Sequence, residues 1–589
     1  MDMKAQDIRL SFLKFFEKRG HTIVPSSSLL SDDPSVLLTT AGMQQFKPYY
    51  SQKADPMTSP HPSLSGKPLG SYSVVSIQKS FRTTDIDEVG DATHLTFFEM
   101  LGNFSFGGYF KEQAITLAHE YFQEIGVELD FVTVFAGDDE APKDTESEAL
   151  WKQRGVQDVR HYDRDDNFWG PTGEEGPCGP CTELYVNGVE VWNLVFNEYY
   201  KKDGKYEPLK VRGVDTGMGF ERLTTALQGA SSVFETDLFQ PLMRKIGDGF
   251  TEEQKRILAD HSRASAFLLS DGVRPANKEA GYILRRLIRR ALVLYYLKHK
   301  QEGASEGAIR ISIPEFFGAL FAIIEKEYGF FYTGLSALRI QEEFMKEAEA
   351  FLKTLSAGVR QLRKMDTMTA QDAFSLYERF GLPYEVIREI APEKVKSISY
   401  GDFQKEQEKH REASKRGAEA KFGGHGLVLN TGELRARTQE EVAQVTQLHT
   451  ATHLLQAALR SVLGSTVKQA GSDITAERLR FDFSFDRRLT DEEVQQVEAL
   501  VNDYIESDMS VRCEEMPYEE AVKSGALYFE KETYPQTVKV YSIGEVSQEL
   551  CGGPHIQHTG ELKGFRIVKQ ESVSAGVRRI RAVVDGVAQ

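Results

Sequence analysis

The sequence predicts a multidomain protein of the α+β class, and three observations lead to that fold class. The chain has 589 residues, whereas one hydrophobic core stops growing at about 250 to 300 residues. Its composition, with 40% hydrophobic and 27% charged residues, is that of a folded globular protein. Strand-like and helical patterns change along the chain, which divides it into three predicted domains, 1–237, 238–426 and 427–589.

Each predicted domain has its own pattern. In the first, segments such as SYSVVSIQKSF and VEVWNLVFNEYY alternate with amphipathic helical stretches, which indicates an antiparallel sheet with helices. In the second, apolar residues recur at three- and four-residue spacing, which indicates packed helices. The charged and glycine-rich segment 415–426 is the predicted linker. The third combines a helical stretch, VTQLHTATHLLQAALRSVLG, with strand-like segments such as RLRFDFSFD.

Charge and cysteine content restrict the partners and the compartment. A net charge of −17 argues against binding nucleic acid through the overall field, so such a partner must be held by local patches. The longest apolar run, 316–324, is far shorter than the roughly 18 residues that span a bilayer, so we expect no membrane partner. Four cysteines and no export signal favour the reducing cytoplasm.

A basic stretch in the second domain is the clearest local patch. On a helix over 281–300, Arg285 pairs with Arg289 at i,i+4 spacing, and Arg286 pairs with Arg290. Like charges at this spacing are mildly destabilising unless an anion neutralises them. The anion is either an RNA phosphate or a set of nearby carboxylates, and the stretch alone favours neither.

Two segments of the first domain indicate a nucleotide site. Along 78–110, one strand leads to Arg82 and a second returns with Phe98, so a hairpin would present a guanidinium and an aromatic ring to one ligand. In VDTGMGFERLTTAL, two glycines allow the backbone to approach a ligand closely, and Arg222 follows one helical turn later. Each pattern alone is weak evidence for a nucleotide site, because such residues usually lie on the surface or in the core.

Together the two segments resemble motifs 2 and 3 of class II aminoacyl-tRNA synthetases. The segments FFEMLGNFSFG, DNFWGPTGEEGPCGPC and VDTGMG are similar to the alanyl-tRNA synthetase family. The resemblance implies a class II antiparallel-sheet catalytic domain that ligates alanine to tRNA(Ala), using ATP with Mg²⁺. It also implies that Arg82 binds the ATP α-phosphate, and that Phe98 and Arg222 enclose the adenine. Positive charge and positioning are what such a displacement requires.

The resemblance also assigns an alanine site. Asp215 would pair with the α-ammonium of alanine, in a small pocket with Met43, Trp169 and Asn193. For Met43 and Trp169, ordinary core packing is the alternative. The sequence departs from the family after Arg82, where a longer loop with a Gly-Gly-Lys segment is common, and this puts the loop's contacts with ATP or tRNA in doubt.

By the same resemblance, the segment 271–290 begins a helical tRNA-recognition domain. Asn277 would read the acceptor stem from its minor groove, the accessible side of A-form RNA. Arg286 and Arg290 would face the RNA. Glu385 stands where the family has an aspartate reader, and its longer side chain leaves the geometry of base-pair readout less certain.

The third domain carries a predicted metal site. His449 and His453 are four residues apart on a predicted helix, and Cys551 and His555 are also four apart. Three imidazoles and a thiolate suit one tetrahedral zinc ion. His558 lies just past the motif and is not expected to be a ligand.

This ligand pattern resembles the editing domain of alanyl- and threonyl-type synthetases. It implies a deacylase site lined by Thr452 and Gln469, with Pro554 in place of the more usual threonine. A pocket for a methyl group rejects serine by only about 100-fold and cannot strongly exclude glycine, so a second hydrolytic site is needed. The CxxC of Cys178 and Cys181 is predicted to be neither a zinc nor a redox site.

Family members commonly carry a β-barrel before the editing core and further domains after it. Neither is recognised in this sequence, so we expect a monomer. One alternative function is a paralogue that has lost ligation and only deacylates mischarged tRNA, and another is a non-catalytic RNA- or nucleotide-binding protein. The presence of Arg82, Asp215 and Arg222 counts against both.

Overall fold

The computed structural model describes residues 3–31, 36–170, 175–409, 433–435, 439–528, 535–574 and 576–585. The chain forms two compact units, Met1–Phe403 and Gln404–Gln589. The predicted boundary at 237/238 falls inside the first unit, because one hydrophobic core continues from Ala5 to Phe403. The predicted linker, 415–426, lies outside the described residues.

The first unit contains a mixed sheet that is antiparallel from β2 to β4. In its described part the strand order is β1-β2-β3-β9-β8-β7-β4-β5, β6 pairs with β7, and the β1–β2 and β4–β5 pairs are parallel. The strands are β1 (Thr22–Ile23), β2 (Ser73–Phe81), β3 (Phe97–Phe106), β4 (Phe131–Phe135), β5 (Val159–Tyr162), β6 (Phe168–Trp169), β7 (Gly176–Val186), β8 (Val189–Lys202) and β9 (Lys205–Gly219).

Helices cover this sheet because its central strands are buried along both faces, as in β2, where eight consecutive residues from Val74 to Phe81 are buried. A 3-10 helix, Gly42–Phe46, packs on β2, β3 and β9. The α-helices of this part are α1 (Ala5–Glu17), α2 (Lys47–Tyr50), α3 (Lys111–Ile125), α4 (Thr145–Gln153), α5 (Arg164–Asn167), α6 (Phe220–Gln228) and α7 (Gln240–Ile246).

The remainder of the first unit is helical, as the spacing of apolar residues predicts. Thr251 and Gln254 form a capping box that starts α8, and Thr369 and Asp372 start α12 in the same way. The helices are α8 (Glu252–Ser270), α9 (Glu279–Gln301), α10 (Glu306–Tyr328), α11 (Ala337–Lys364), α12 (Ala370–Phe380) and α13 (Tyr384–Ile390), and α14 (400–409) begins in the first unit and continues past Phe403.

Among the described helices, α10 alone passes a length and composition test for a membrane-spanning segment. It packs against α7, α8, α9 and α11, and Ile313, Phe317 and Phe321 on it are fully buried.

The second unit has its own hydrophobic core, in which α15 and α16 pack on one face of a sheet. In the described part that sheet has the order β10-β11-β12-β17-β16, and a separate one has the order β13-β14-β15. The elements are β10 (Glu433–Arg435), α15 (Gln439–Leu463), β11 (Gln469–Thr475), β12 (Leu479–Ser484), α16 (Asp491–Glu506), β13 (Val511–Pro517), α17 (Tyr518–Lys523), β14 (Thr537–Ile543), β15 (Ser547–Leu550), β16 (Phe565–Ser574) and β17 (Val577–Val584). The predicted α+β fold class is confirmed.

Candidate functional site

Arg82 and Phe98 lie together on the predicted hairpin. Phe81, the last residue of β2, pairs with Phe97, the first residue of β3, and the backbone N–H of Arg82 donates to the Thr96 carbonyl at 2.9 Å. The Arg82 guanidinium carbon lies 5.0 Å from the centre of the Phe98 ring, and the Arg82 side chain is exposed. A cation and an aromatic face are therefore available at one position on the surface.

Arg222 lies at the neighbouring strand end. Gly219, the last residue of β9, pairs with Met100 of β3, and α6 begins at the next residue. The Arg222 side chain is 45% exposed, and its Nη1 donates to Glu190 Oε2 and to the Glu190 carbonyl, both at 2.9 Å. Sequence reasoning missed Glu190, which holds this arginine from β8.

Asp215 and Asn193 face the same side of the sheet. Asp215 pairs with Val195 and Gly217 pairs with Asn193, so Asn193 is the diagonal neighbour of Asp215 across β8 and β9. The Met100 side chain packs against Gly217, where an added Cβ would lie 2.9 Å from the Met100 sulfur. The carboxylate and the amide that were predicted for the alanine site are thus brought together.

Asp215 is buried without a charged partner among the described residues. Its side chain is 7% exposed, and burial raises the pKa of its carboxyl from 3.8 to about 7. An ionised carboxylate in this position favours a ligand that brings a positive charge.

Glu183 is a second perturbed carboxyl that sequence reasoning missed. It pairs with Asn193 across β7 and β8, and Asn193 Nδ2 donates to Glu183 Oε1 at 3.2 Å. Burial, followed by the nearby Glu190, raises the pKa of Glu183 to about 7. The available signal was a glutamate inside GPCGPCTELYV, a strand that is buried at every position but one.

Met43 and Trp169 occupy less decisive positions. Met43 lies in the 3-10 helix Gly42–Phe46, within a hydrophobic cluster that includes Phe104 and Phe106. Trp169 lies in β6, where it pairs with Gly179 and is half-buried. These placements agree with core packing for Met43, and the alanine-site roles of both residues stay predictions.

Cys178 and Cys181 lie within β7, and both thiols are free and buried. The Cys178 sulfur donates to the Tyr199 carbonyl at 3.6 Å and the Cys181 sulfur to the Asp166 carbonyl at 3.7 Å. Burial raises the pKa of both thiols, that of Cys178 to about 11. Raised pKa values and separate partners argue against thiolate chemistry here.

Arg286 and Arg290, which were predicted to face tRNA, lie in an internal network of ion pairs. Both arginines are buried, with 5% and 2% exposed. Arg286 pairs with Glu385, and Arg290 Nη2 lies 3.0 Å from Glu389 Oε1. The carboxylates of an internally paired face therefore neutralise this part of the basic helix.

Glu385, which was predicted to read the acceptor stem, belongs to the same network. It is 2% exposed and bonded to Arg286, so it presents no carboxylate to an RNA base. Asn277 differs, because it is exposed and its Oδ1 accepts a hydrogen bond from Arg285. Contact of Asn277 with RNA stays a prediction.

In the second unit, His449, His453, Cys551 and His555 form a cluster that could hold a metal ion. One ligand atom from each of the four lies within 4.8 Å of the others. The Cys551 sulfur is 3.4 Å from His449 Nε2 and 3.5 Å from His555 Nε2. The histidine pair comes from α15, and the Cys551–His555 pair lies in the turn after β15.

A hydrogen-bond or ion-pair partner of the Nδ1 atom orients each of the three imidazoles. His449 Nδ1 is 3.0 Å from the Pro554 carbonyl, His453 Nδ1 is 3.1 Å from Glu549 Oε2, and His555 Nδ1 is 3.1 Å from the Thr450 hydroxyl. Such partners fix the ring orientation and tautomer of metal-binding histidines. Sequence reasoning identified the four candidate ligands and missed Glu549 and Thr450.

Electrostatics favour a thiolate at Cys551. Burial acts to raise the pKa of its thiol, but the surrounding imidazoles of His449, His453 and His555 lower it well below the usual value. Burial also lowers the pKa of His555 to about 3, which keeps that ring neutral. Thiolate and neutral imidazole are the forms that bind metals. Burial acts to lower the pKa of His453, but Glu549 and Cys551 raise it to about 10, so His453 would release a proton when a metal binds.

His449, His453 and Cys551 of the cluster line a cavity of about 520 Å³, which is also lined by both predicted editing residues, Thr452 and Gln469. Thr452 is buried, with its hydroxyl on the Leu448 carbonyl at 2.9 Å. Gln469 begins β11 and donates to the Ser472 hydroxyl at 3.2 Å. The cavity is large enough for a small ligand.

The chain matches two protein families. Residues 7–467 match the family described as tRNA synthetases class II (A), and residues 538–581 match the threonyl and alanyl tRNA synthetase second additional domain. The chain is 41% identical over 632 residues to an alanine–tRNA ligase from Treponema pallidum (strain Nichols), covering 99% of this chain and 98% of the relative.

Two further relatives bear the same name. One, from Borrelia hermsii (strain HS1 / DAH), is 40% identical over 626 residues, covering 99% of this chain and 100% of the relative. Another, from Rubrobacter xylanophilus (strain DSM 9941 / JCM 11954 / NBRC 16129 / PRD-1), is 35% identical over 717 residues, covering 99% and 79%. With these matches and a class II family match over most of its length, this chain belongs to the alanine–tRNA ligase family of class II tRNA synthetases.

Proposed function

We propose that this protein activates alanine with ATP, transfers it to tRNA(Ala), and hydrolyses Ser-tRNA(Ala) and Gly-tRNA(Ala) at a second site. The observation that carries the ligase part is Asp215, a buried carboxyl beside Asn193 on the antiparallel sheet. Alanine's α-ammonium supplies the positive charge that this carboxylate otherwise lacks.

In the activation step, an oxygen of the alanine carboxylate attacks the α-phosphorus of ATP, and pyrophosphate leaves. Arg82 neutralises charge on the α-phosphate, while Phe98 and Arg222 hold the adenine. To contact the adenine, the Arg222 side chain gives up its ion pair with Glu190. Mg²⁺ bound to ATP would offset part of the charge of its phosphates. In the transfer step, a terminal ribose hydroxyl of tRNA attacks the alanyl carbonyl and AMP leaves.

The second unit hydrolyses tRNA that carries the wrong amino acid. A pocket built for a methyl side chain admits serine and glycine too often for binding alone to exclude them. The cavity that contains Thr452 and Gln469 accepts the misacylated tRNA end, and water cleaves the ester there.

The His449, His453, Cys551 and His555 cluster fits zinc. A tetrahedral ion with ordinary Zn–N and Zn–S bonds separates a nitrogen and a sulfur ligand by about 3.5 Å. The sulfur of Cys551 lies 3.4 and 3.5 Å from two imidazole nitrogens. When bound, zinc would anchor the substrate, or activate water if one protein ligand were displaced.

Three further expectations belong to this proposal. Asn277 is the candidate RNA-reading residue that is exposed. The enzyme works in the cytoplasm, in keeping with four free cysteines. It acts as a monomer, which light scattering of the purified protein tests directly.

Alanine-dependent exchange of labelled pyrophosphate into ATP is the deciding experiment. We expect exchange with alanine, weaker exchange with serine and glycine, and release of serine from Ser-tRNA(Ala) in a separate assay. Deacylation without any exchange would identify a deacylase that has lost ligation, and absence of both would favour a binding protein.

A further inference from the structure

The loop that follows Arg82 connects β2 to β3, and we call residues 82–96 the Arg82 loop. Its ends are closed by the hydrogen bond from Arg82 N–H to the Thr96 carbonyl. Between them lies a short 3-10 helix, Thr84–Asp87. Loop backbone that has left a sheet must find other partners for its buried carbonyls.

Three arginines from three helices supply those partners. Arg290 of α9 donates from Nη1 to the Ile86 carbonyl at 2.8 Å, and Arg388 of α13 donates to the Asp87 carbonyl at 3.2 Å. Arg256 of α8 donates to the Gly90 carbonyl at 3.3 Å. Guanidinium groups suit this task because they are planar, always charged and multidentate.

A fourth helical side chain holds the end of the loop. Asp260 Oδ1 accepts from the Thr96 N–H at 3.0 Å, and its Oδ2 accepts from the Thr96 hydroxyl at 2.7 Å. Since Thr96 in turn holds the backbone of Arg82, the position of Asp260 is passed to Arg82 through one residue. His261 lies between Asp260, at 2.9 Å, and Arg290, at 3.4 Å.

Carboxylates fix the arginines themselves. Glu389 lies 3.0 Å from Arg290, and Glu385 pairs with Arg286, which also lies 3.6 Å from the Asp87 carboxylate. Buried charges that are held from several sides have one low-energy arrangement, because any shift leaves an uncompensated ion. The loop therefore has a defined position relative to α8, α9 and α13.

We propose that Arg290, assisted by Arg388, is a positioning residue for ATP activation, because it fixes the loop from which Arg82 reaches the α-phosphate. This inference rests on the proposed function. It gives the buried part of the basic helix a role in the adenylation step rather than in phosphate binding to RNA.

Arg289 provides a matched control on the same helix. It is half-buried, lies 2.6 Å from Glu347 Oε1, and donates to a backbone carbonyl, that of Gly381. Gly381 follows α12, away from the Arg82 loop in the sequence. Replacing Arg289 thus removes an ion pair and a hydrogen bond to a backbone carbonyl on the same helix, without touching the loop.

The test compares Arg290→Gln with Arg289→Gln in the full-length protein. We expect both to lower the unfolding temperature. Arg290→Gln alone should lower kcat of alanine-dependent exchange about 10- to 100-fold and raise KM for ATP, with KM for alanine unchanged, because a small displacement of Arg82 is costly. Amide hydrogen exchange of the Arg82 loop should quicken in Arg290→Gln and not in Arg289→Gln.

Equal kinetic losses in the two variants, or loop amides that exchange at the parent rate in Arg290→Gln, overturn the proposal. If Arg290→Gln does not fold, Arg388→Gln, whose side chain is half-buried, is judged by the same two measurements. A parent protein without alanine-dependent exchange would instead defeat the proposed function. The loop exchange and calorimetric ATP binding would then decide the positioning role by themselves.

Discussion

At the scale of single residues, Asp215 combines two properties that conflict in a protein without a ligand. A buried carboxyl destabilises the fold less when it is neutral than when it is ionised, but it forms an ion pair with an ammonium group only when it is ionised. With a pKa of about 7, Asp215 lies between these states at neutral pH. Such tuning is typical of groups that meet a charged ligand.

The first prediction concerns pH and alanine affinity. As pH falls through about 7, Asp215 takes up a proton in the free enzyme, so kcat/KM for alanine should fall, approaching tenfold per pH unit. Initial rates of exchange between pH 5.5 and 8.5 measure this. Glu183 titrates in the same range. If Glu183→Gln removes the acidic limb, Asp215 is not its source.

The second prediction concerns Asp215→Asn. The pKa of Asp215 is raised from 3.8 to about 7 on folding, so the folded protein binds the proton more tightly and stability falls as pH rises across that range. Replacing the carboxyl by an amide should therefore raise the free energy of unfolding of the first unit at pH 8, by on the order of 1 to 3 kcal/mol, and should change it little at pH 4. Thermal unfolding at both pH values tests this.

The same Asp215→Asn variant should lose alanine-dependent exchange while Ser-tRNA hydrolysis persists, because the hydrolytic cluster belongs to the second unit. An asparagine variant that exchanges at the parent rate, or that loses both activities while folded, would contradict the two-site assignment.

At the scale of elements, the sequence predicted those features that depend on local spacing. The hairpin of Arg82 and Phe98 follows from period-two patterns and a turn, and the i,i+4 spacing of His449 and His453 places both on one side of α15. These predictions required no knowledge of distant residues.

The basic helix α9 marks the limit of that reasoning. Its two i,i+4 arginine pairs were seen, but Glu347, Glu385 and Glu389, which pair with all four arginines, come from helices 58 to 99 residues away in the sequence. Burial and pairing of charges are properties of the tertiary fold, so periodicity alone could not separate an RNA-facing surface from an internal ion network.

The third prediction tests a contact on α15. Thr450→Val removes the hydroxyl that lies 3.1 Å from His555 Nδ1 and should lower zinc affinity about tenfold or more, because that hydrogen bond orients the ring. Zinc affinity is measured by competition with a chelator of known strength.

Thr446→Val is the matched control, since the Thr446 hydroxyl bonds its own helix at the Val442 carbonyl, 2.7 Å away. Equal affinities in the two variants would mean that the Thr450 hydroxyl has no part in orienting His555.

At the scale of the whole molecule, two units with separate hydrophobic cores carry two different chemistries. The core of the first runs from Ala5 to Phe403, and the core of the second from Val445 to Val584. A buried carboxyl and exposed arginines characterise the candidate site of the first, whereas a thiolate and imidazoles characterise that of the second. A substitution in one unit can therefore alter ligation or hydrolysis without altering the other activity.

The fourth prediction follows from this separation. Zinc bound by His449, His453, Cys551 and His555 would join α15 to the turn after β15, and a ligand that binds only the folded state stabilises it by mass action. Removing zinc with a chelator should therefore lower the unfolding temperature of the second unit and abolish Ser-tRNA hydrolysis. The unfolding of the first unit and alanine-dependent exchange should be unchanged. Calorimetry with elemental analysis measures the first effect, and Cys551→Ala should reproduce the treated protein without chelator. A chelated protein that contains no zinc yet unfolds and hydrolyses Ser-tRNA like the parent would exclude a metal role for this cluster.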